Sequence, residues 1–157
     1  MDPSGSGQFF NYSSSYGTGV ATDAVNNIYL SSTLVAQKAQ VFGQNINTTS
    51  TFNQYFPQGL VMKLNPDGNV LWSIYIQSLI PDQYCAPSSL LYSTFDNKVY
   101  LLLHGPSWQA LLPDGNTMAD FNAAVAGWLL SFTADGQFVE AKPVGDIGPS
   151  QLLVEYR

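Results

Sequence analysis

The chain has 157 residues, of which 45% are apolar and 13% aromatic, while only 10% carry a charge. Five basic residues against 11 acidic ones leave a net charge of −6 at pH 7, which argues against a surface for nucleic acid. A disordered chain would be richer in charge and poorer in aromatic residues. We therefore expect one folded domain with a sizeable core.

The first two strands we predict, at residues 19–23 and 27–34, are joined by a turn at Asn26. The next two, at residues 59–65 and 69–76, flank the dipeptide Asp67-Gly68. Asn and Gly tolerate the positive φ of tight hairpin turns, so both pairs are typical of antiparallel hairpins. Many of these strands are apolar on both faces, which indicates a sheet packed between other sheets.

The same four-strand pattern recurs further along the chain. Residues 20–30 resemble residues 91–101, and residues 59–69 resemble residues 127–137. The second copy has its turns at Asp96-Asn97 and at Asp135-Gly136. No segment has a sustained period near 3.6 residues, so the pattern predicts an all-β chain of antiparallel four-stranded units with little helix.

Partial copies lie at both ends of the sequence. Residues 8–13 resemble the fourth strand of a unit, and residues 149–153 resemble a first strand. The predicted division is residues 1–16 as the last strand of a preceding unit, residues 17–86 as unit one, residues 87–148 as unit two, and residues 149–157 as the first strand of a following unit. Unpaired strand edges bind other strands, so both ends are predicted to attach to partner chains or to missing units.

Repeated four-stranded units with these turns are typical of β-propeller blades. The residues resemble the β-propeller repeat family called SBBP, through Gly19–Asp23, Asn27–Leu30, Lys63–Asn69 and the Trp-Ser-x-Tyr segment Trp72–Tyr75. Unit two departs from this pattern at residues 131–134 and 140–143. The resemblance implies a propeller of several blades on secreted, cell-surface or virion proteins, and it implies no shared catalytic residues.

The sequence offers few residues for catalysis or for metal binding. Cys85 is the only cysteine, so neither an intramolecular disulfide nor a thiolate cluster can form, and we expect it to be buried. His104 is the only histidine and follows an apolar strand, where we expect a structural role. We predict no enzyme activity, no cofactor and no metal site. Neither a signal peptide nor an apolar segment long enough to cross a membrane is visible.

Two long connections, residues 35–58 and 105–126, separate the second and third strands of each unit. Loops of this length are commonly functional, and we expect both on the face of the propeller opposite the tight turns. Their aromatic, amide and acidic side chains suit the recognition of a glycan or a protein. The candidate ligand-binding residues are Asn53, Tyr55, Phe56, Trp108, Asp114 and Phe121.

Three hypotheses for function follow from these observations. The first is a non-enzymatic structural module whose units pack against other units or subunits in an extracellular or virion-surface assembly. The second is a carbohydrate- or receptor-binding module that uses the long connections. The third is part of a propeller enzyme whose catalytic residues lie on units outside this sequence.

Overall fold

The computed structural model describes residues 15–34, 38–47, 58–81, 83–123 and 125–145. These residues form strands and turns with no helix, so the all-β prediction is confirmed. The predicted strands at residues 8–13 and 149–157 lie outside the described residues. The strands are β1 (Ser15–Thr22), β2 (Ile28–Leu34), β3 (Lys38–Val41), β4 (Gln44–Asn47), β5 (Gln58–Leu64), β6 (Val70–Ser78), β7 (Ala86–Ser93), β8 (Lys98–His104), β9 (Ser107–Leu111), β10 (Thr117–Asn122), β11 (Gly127–Thr133) and β12 (Phe138–Pro143).

The two predicted sets of four strands form two antiparallel meanders. Strands β1, β2, β5 and β6 are neighbours in one sheet, which we call unit one, and β7, β8, β11 and β12 form a second sheet, unit two. Strands β9 and β10 extend the sheet of unit one beyond β6, while β3 and β4 pair only with each other among the described strands. The described strands make one six-stranded sheet, one four-stranded sheet packed against it and the separate β3–β4 pair, and they do not close into a ring.

The hairpin between the third and fourth strands has the same turn in both units, as the sequence predicts. In unit one the Gly68 amide donates to the Asn65 carbonyl, and in unit two the Gly136 amide donates to the Thr133 carbonyl. The N···O distance is 2.9 Å in both hydrogen bonds. Gly68 and Gly136 have φ values of 84° and 81°. A type I turn closed by a left-handed glycine explains why each strand pair reverses at an Asp-Gly dipeptide.

The two units also share their strand irregularities. A bulge interrupts β1 between Gly17 and Gly19, and another interrupts β7 between Pro87 and Ser89. A second pair of bulges follows the Asp-Gly turns and leaves Leu71 and Val139 as the extra residues, both of them exposed. Since bulges add twist at fixed places, the two sheets bend alike.

The long connections are not simple loops, and this expectation from the sequence is wrong. Residues 38–47 form the β3–β4 hairpin, which turns through Phe42 and Gly43 with φ values of 47° and 78°. Residues 107–122 form the β9–β10 hairpin, whose turn repeats the Asp-Gly geometry at Gly115, with φ of 85°. Its Pro-Asp-Gly sequence matches that of residues 66–68 and could have indicated a further hairpin.

The main core lies between the two sheets. Side chains from β2, β5 and β6 meet those from β8 and β11, including Tyr29, Val61 and Ile74 of unit one and Leu101 and Leu130 of unit two. Cys85 is fully buried in this core, as expected. A second cluster, which contains Leu60, Met62 and Leu64, lies on the opposite face of the first sheet and is also buried. The prediction of strands buried on both faces is therefore confirmed for unit one.

Two glycines set how closely the sheets approach. A Cβ atom built on Gly19 of β1 would lie 2.7 Å from the Leu90 Cβ atom and 2.8 Å from the Leu90 backbone nitrogen. One on Gly59 of β5 would lie 3.1 Å from the ring of Pro87. Strand β7 can therefore pack against β1 and β5 only because these two positions have no side chain.

We expect Gly19→Ala to lower the free energy of unfolding by about 2 kcal/mol, because the added methyl overlaps the backbone of β7 and not merely a movable side chain. Urea denaturation measures the change. The control is Val20→Ala at the neighbouring exposed position, which should cost less than about 1 kcal/mol. Equal losses in the two variants would show that the close approach at Gly19 does not determine the packing distance.

Candidate interaction site

The structure describes three of the six candidate ligand-binding residues. Asn53, Tyr55 and Phe56 lie outside the described residues. Trp108 and Phe121 lie in strands β9 and β10, where they are cross-strand neighbours, and Asp114 lies in the turn between these strands. Strand β9 runs antiparallel to β6, so this turn is directed toward the end of the sheet that holds the turn at residues 65–69. Asp114 is therefore not on the face opposite the tight turns, where the sequence analysis placed it.

Trp108 belongs to the core. Its side chain is fully buried, stacks on Phe121 at 5.0 Å between ring centroids, and meets Trp128 edge-on at 6.1 Å. Such a ring offers no surface to a ligand in this chain, which corrects the role suggested by its place in a long connection. Asp114 is exposed, and its carboxylate accepts hydrogen bonds from the backbone and side-chain amides of Asn116. Glycan or receptor binding by the remaining candidates stays a prediction.

The β9–β10 hairpin joins the two units. It leaves unit two after β8, and its strand β9 then pairs with the outer strand of unit one, from Tyr75 opposite Leu111 to Ser78 opposite Trp108. Trp108 and Phe121 pack back onto Trp128 of unit two. The hairpin is thus bonded to one sheet by its backbone and to the other by its aromatic side chains.

A second junction lies at the Asp-Gly turn of unit two. The backbone carbonyl oxygen of Ala134 accepts hydrogen bonds from Lys63 Nζ at 3.1 Å and from Trp72 Nε1 at 3.0 Å. Both donors belong to unit one, where Lys63 and Trp72 are cross-strand neighbours. We call this arrangement the turn junction. An amine and an indole N–H converge on one carbonyl, so the junction fixes the position of unit two against unit one.

The indole of Trp72 also fills the space beside Gly136. A Cβ atom built on Gly136 would lie 2.8 Å from the Trp72 ring. The glycine therefore serves two purposes, since it allows the positive φ of the turn and gives the indole room to reach the Ala134 carbonyl.

A carboxylate supports the lysine of the turn junction. Lys63 Nζ lies 3.7 Å from Asp23 Oδ2, with both side chains less than a tenth exposed, and it lies 5.0 Å from the centre of the Tyr29 ring. Tyr29 donates its hydroxyl to the same Asp23 oxygen at 3.1 Å and stacks on Tyr92 of unit two at 5.0 Å. The ammonium group is therefore held by a carboxylate, a π face and a carbonyl in a largely dry setting.

The hydrogen bonds at Asp23 affect its protonation. Burial alone would raise the pKa of Asp23, but hydrogen bonds from Asn27, Val25 and Tyr29 outweigh burial and lower it. Burial, together with the hydrogen bond to Asp23, raises the pKa of Tyr29. Both groups therefore keep their ordinary charge at neutral pH, with Asp23 ionised and Tyr29 neutral.

Unit two repeats only part of this arrangement. Tyr100 donates to Asp96 Oδ2 at 2.7 Å, as Tyr29 does to Asp23, and this bond, followed by burial, raises the pKa of Tyr100 to about 12. The positions of Lys63 and Trp72 are taken by Ser131 and Glu140, which again are cross-strand neighbours. Unit two therefore has the turn that accepts the junction and lacks the two side chains that donate to it.

The sequence contained the junction residues but did not reveal their role. Lys63 and Trp72 lie in the segments that carry the family resemblance, and nothing in their spacing indicates that both reach Ala134, which follows them by 71 and 62 residues. The substitution of both donor positions in unit two was visible as a departure from the repeat. Unit two keeps the Asp-Gly turn and loses both donors, and this difference is the one signal in the sequence that could have suggested a contact from unit one to unit two.

The described residues offer little for catalysis or for metal binding. No group of three or more His, Cys, Asp or Glu side chains in the described ranges could hold a metal ion. Burial strongly raises the pKa of the Cys85 thiol, which keeps it protonated and unreactive. The arrangement of donors, carbonyls and glycine-bearing turns instead suits the positioning of one β-sheet against another.

No protein-family model matches the sequence, and no curated protein matches it significantly. Among the described residues, no helix has the length and apolar character needed to cross a membrane.

We expect Lys63→Met to lower the free energy of unfolding by about 2 to 4 kcal/mol, because it removes two buried polar contacts and leaves the Asp23 carboxylate without its cation. Chemical denaturation measures the loss. The matched control is Lys142→Met, which removes an exposed ion pair to Glu140 of 3.2 Å and should cost less than about 1 kcal/mol. Similar small losses in both variants would contradict the role assigned to the turn junction.

The lowered pKa of Asp23 predicts a loss of stability in acid. A carboxyl whose pKa is lower in the folded state stabilises the protein above its unfolded pKa, and the contribution is lost as the pH falls through the folded value. Asp23→Asn should therefore be less stable than the wild type near neutral pH and should approach it as the pH falls below about 4. Urea denaturation over a pH series measures this, and parallel profiles for the two proteins would contradict the assignment.

Proposed function

We propose that this chain is a non-enzymatic structural module made of two β-propeller blades of the SBBP type. The two units are the blades, and they pack with further blades or subunits into a larger assembly. The resemblance of the sequence to SBBP repeats supports an assembly outside the cell or on a virion surface. The lack of a metal-binding group in the described residues and the buried, protonated Cys85 are consistent with a structural role.

The packing of the two sheets supports a radial arrangement. The first strand of unit two, β7, lies against β1, β2 and β5 of unit one. At the outer edge of unit one the β9–β10 hairpin continues the sheet, and its Trp108 side chain packs edge-on against Trp128 of β11. Contact between the first strand of one sheet and the first strands of the next is what neighbouring propeller blades share.

One observation carries the proposal of a larger assembly. In unit two, Trp128, Leu130 and Phe132 of β11 face unit one and form part of the main core. The equivalent residues of unit one, Leu60, Met62 and Leu64, face the other way and form the second apolar cluster. Unit one therefore has, on its far face, the counterpart of the apolar surface by which unit two packs onto its neighbour, and side chains of the same chain already bury this cluster.

The cover of this far face is partly visible within the chain. Phe42, in the turn of the β3–β4 hairpin, packs against the second cluster. The β9–β10 hairpin, which also lies between the second and third strands of its unit, covers the equivalent face of unit two with Trp108. In unit two, that hairpin then continues onto the outer strand of the neighbouring unit. By analogy, β3–β4 is the element of unit one directed toward a preceding blade.

The test is the mass of the purified chain in solution, measured by light scattering over a dilution series. We expect a species heavier than the 17.1 kDa of one chain, because blades bury their apolar faces against other blades. The heavier species should dissociate only on strong dilution. A single species of 17.1 kDa at every concentration would contradict the proposal that the chain assembles through its blades.

A further inference from the structure

We propose that the exposed turn at residues 65–69 of unit one is a docking site for a neighbouring blade that lies outside the described residues. That blade would present an ammonium group and an indole N–H to the turn. The inference rests on the proposed function, because it names the partner that one end of the two-blade stack accepts. It concerns a single turn and the two donors that recognise it.

The template is the turn junction within the chain. The turns at residues 65–69 and 133–137 have the same pair of backbone hydrogen bonds and the same left-handed glycine at the fourth position. At the second turn, Lys63 and Trp72 donate to the Ala134 carbonyl and the indole packs beside Gly136. The corresponding carbonyl of the first turn is that of Pro66.

No described residue occupies the equivalent place at the first turn. Pro66, Asp67 and Gly68 are exposed, and no described residue lies within 4 Å of a Cβ atom built on Gly68, whereas the Trp72 ring lies 2.8 Å from one built on Gly136. The two turns also have equivalent positions relative to the apolar clusters. Phe132, which precedes the second turn, lies in the main core, and Leu64, which precedes the first turn, lies in the second cluster. The space that an indole occupies in unit two is therefore open in unit one.

A second copy of this chain does not supply the donors. Its Lys63 and Trp72 are already bonded to its own Ala134 carbonyl. Its unit two has Ser131 and Glu140 at the donor positions, which supply neither an ammonium group nor an indole N–H. The partner is thus a further blade, outside the described residues, with lysine on its third strand and tryptophan on its fourth.

The experiment restores the missing donors in unit two and uses wild-type chain as the acceptor. In the double variant S131K/E140W, residue 131 lies opposite Tyr100 as Lys63 lies opposite Tyr29. Ser131 is buried, so its replacement by lysine can disturb the fold. The second variant is therefore Glu140→Trp alone, because the Glu140 side chain is about half exposed and its replacement perturbs the fold less than that of Ser131. Each donor variant is labelled, and its affinity for wild-type chain is measured by titration.

The acceptor side has a matched pair of variants. Gly68→Asn adds a side chain where the indole would lie, and asparagine tolerates positive φ. Gly115→Asn makes the same change in the same type of turn, with φ of 85° against 84°, at a place with no junction. We expect both donor variants to bind wild-type chain, Gly68→Asn to weaken that binding about tenfold or more, and Gly115→Asn to leave it unchanged.

Two results would overturn the docking site. Folded donor variants that bind wild-type chain no better than wild-type copies bind each other would do so, and so would equal effects of Gly68→Asn and Gly115→Asn. These results differ from a failure of the proposed function. If the wild-type chain stays monomeric while the donor variants bind it through Gly68, the docking site is supported and self-assembly is contradicted. If the wild-type chain assembles and none of these variants changes the assembly, self-assembly is supported and the docking site is contradicted.

Discussion

The carbonyl group of Ala134 is the point on which the relation between the two sheets depends. Its oxygen accepts two hydrogen bonds from unit one, while the Ala134 amide donates to the Asn97 carbonyl within unit two. One residue therefore links both turns of unit two to the third and fourth strands of unit one. Because apolar packing is non-directional, these few polar contacts set the orientation and register that the core alone leaves undetermined.

The β9–β10 hairpin solves a different problem at the other side of the interface. The fourth strand of an isolated meander has an unpaired edge, and the inner face of unit two needs an apolar cover. The hairpin answers both needs, since its backbone pairs with β6 and its Trp108 packs against Trp128. An insertion that the sequence suggests to be a binding loop thus serves to pair one sheet and to cover the other.

The sequence predicted the strands well and the connections poorly, for a physical reason. Strands such as β5 and β11 are specified locally, by apolar residues and by a turn whose glycine must adopt positive φ. The role of Trp108 depends on which sheet edge lies nearby, and that is a property of the packed units. The turn junction could not be predicted for the same reason, because the sequence around Lys63 does not indicate that its ammonium group donates to the Ala134 carbonyl of the other unit.

The junction also gives the pair of units a direction. Unit one has both the donors that hold the next unit and an accepting turn of its own, while unit two retains the turn and has lost the donors at positions 131 and 140. Its outer strand β12 adds Glu140, Lys142 and a final proline, Pro143, which discourage the pairing of a further strand at that edge. The turn-junction contact can therefore be repeated on the side of unit one, where an accepting turn is present, and it cannot be repeated from unit two, whose donor positions hold Ser131 and Glu140.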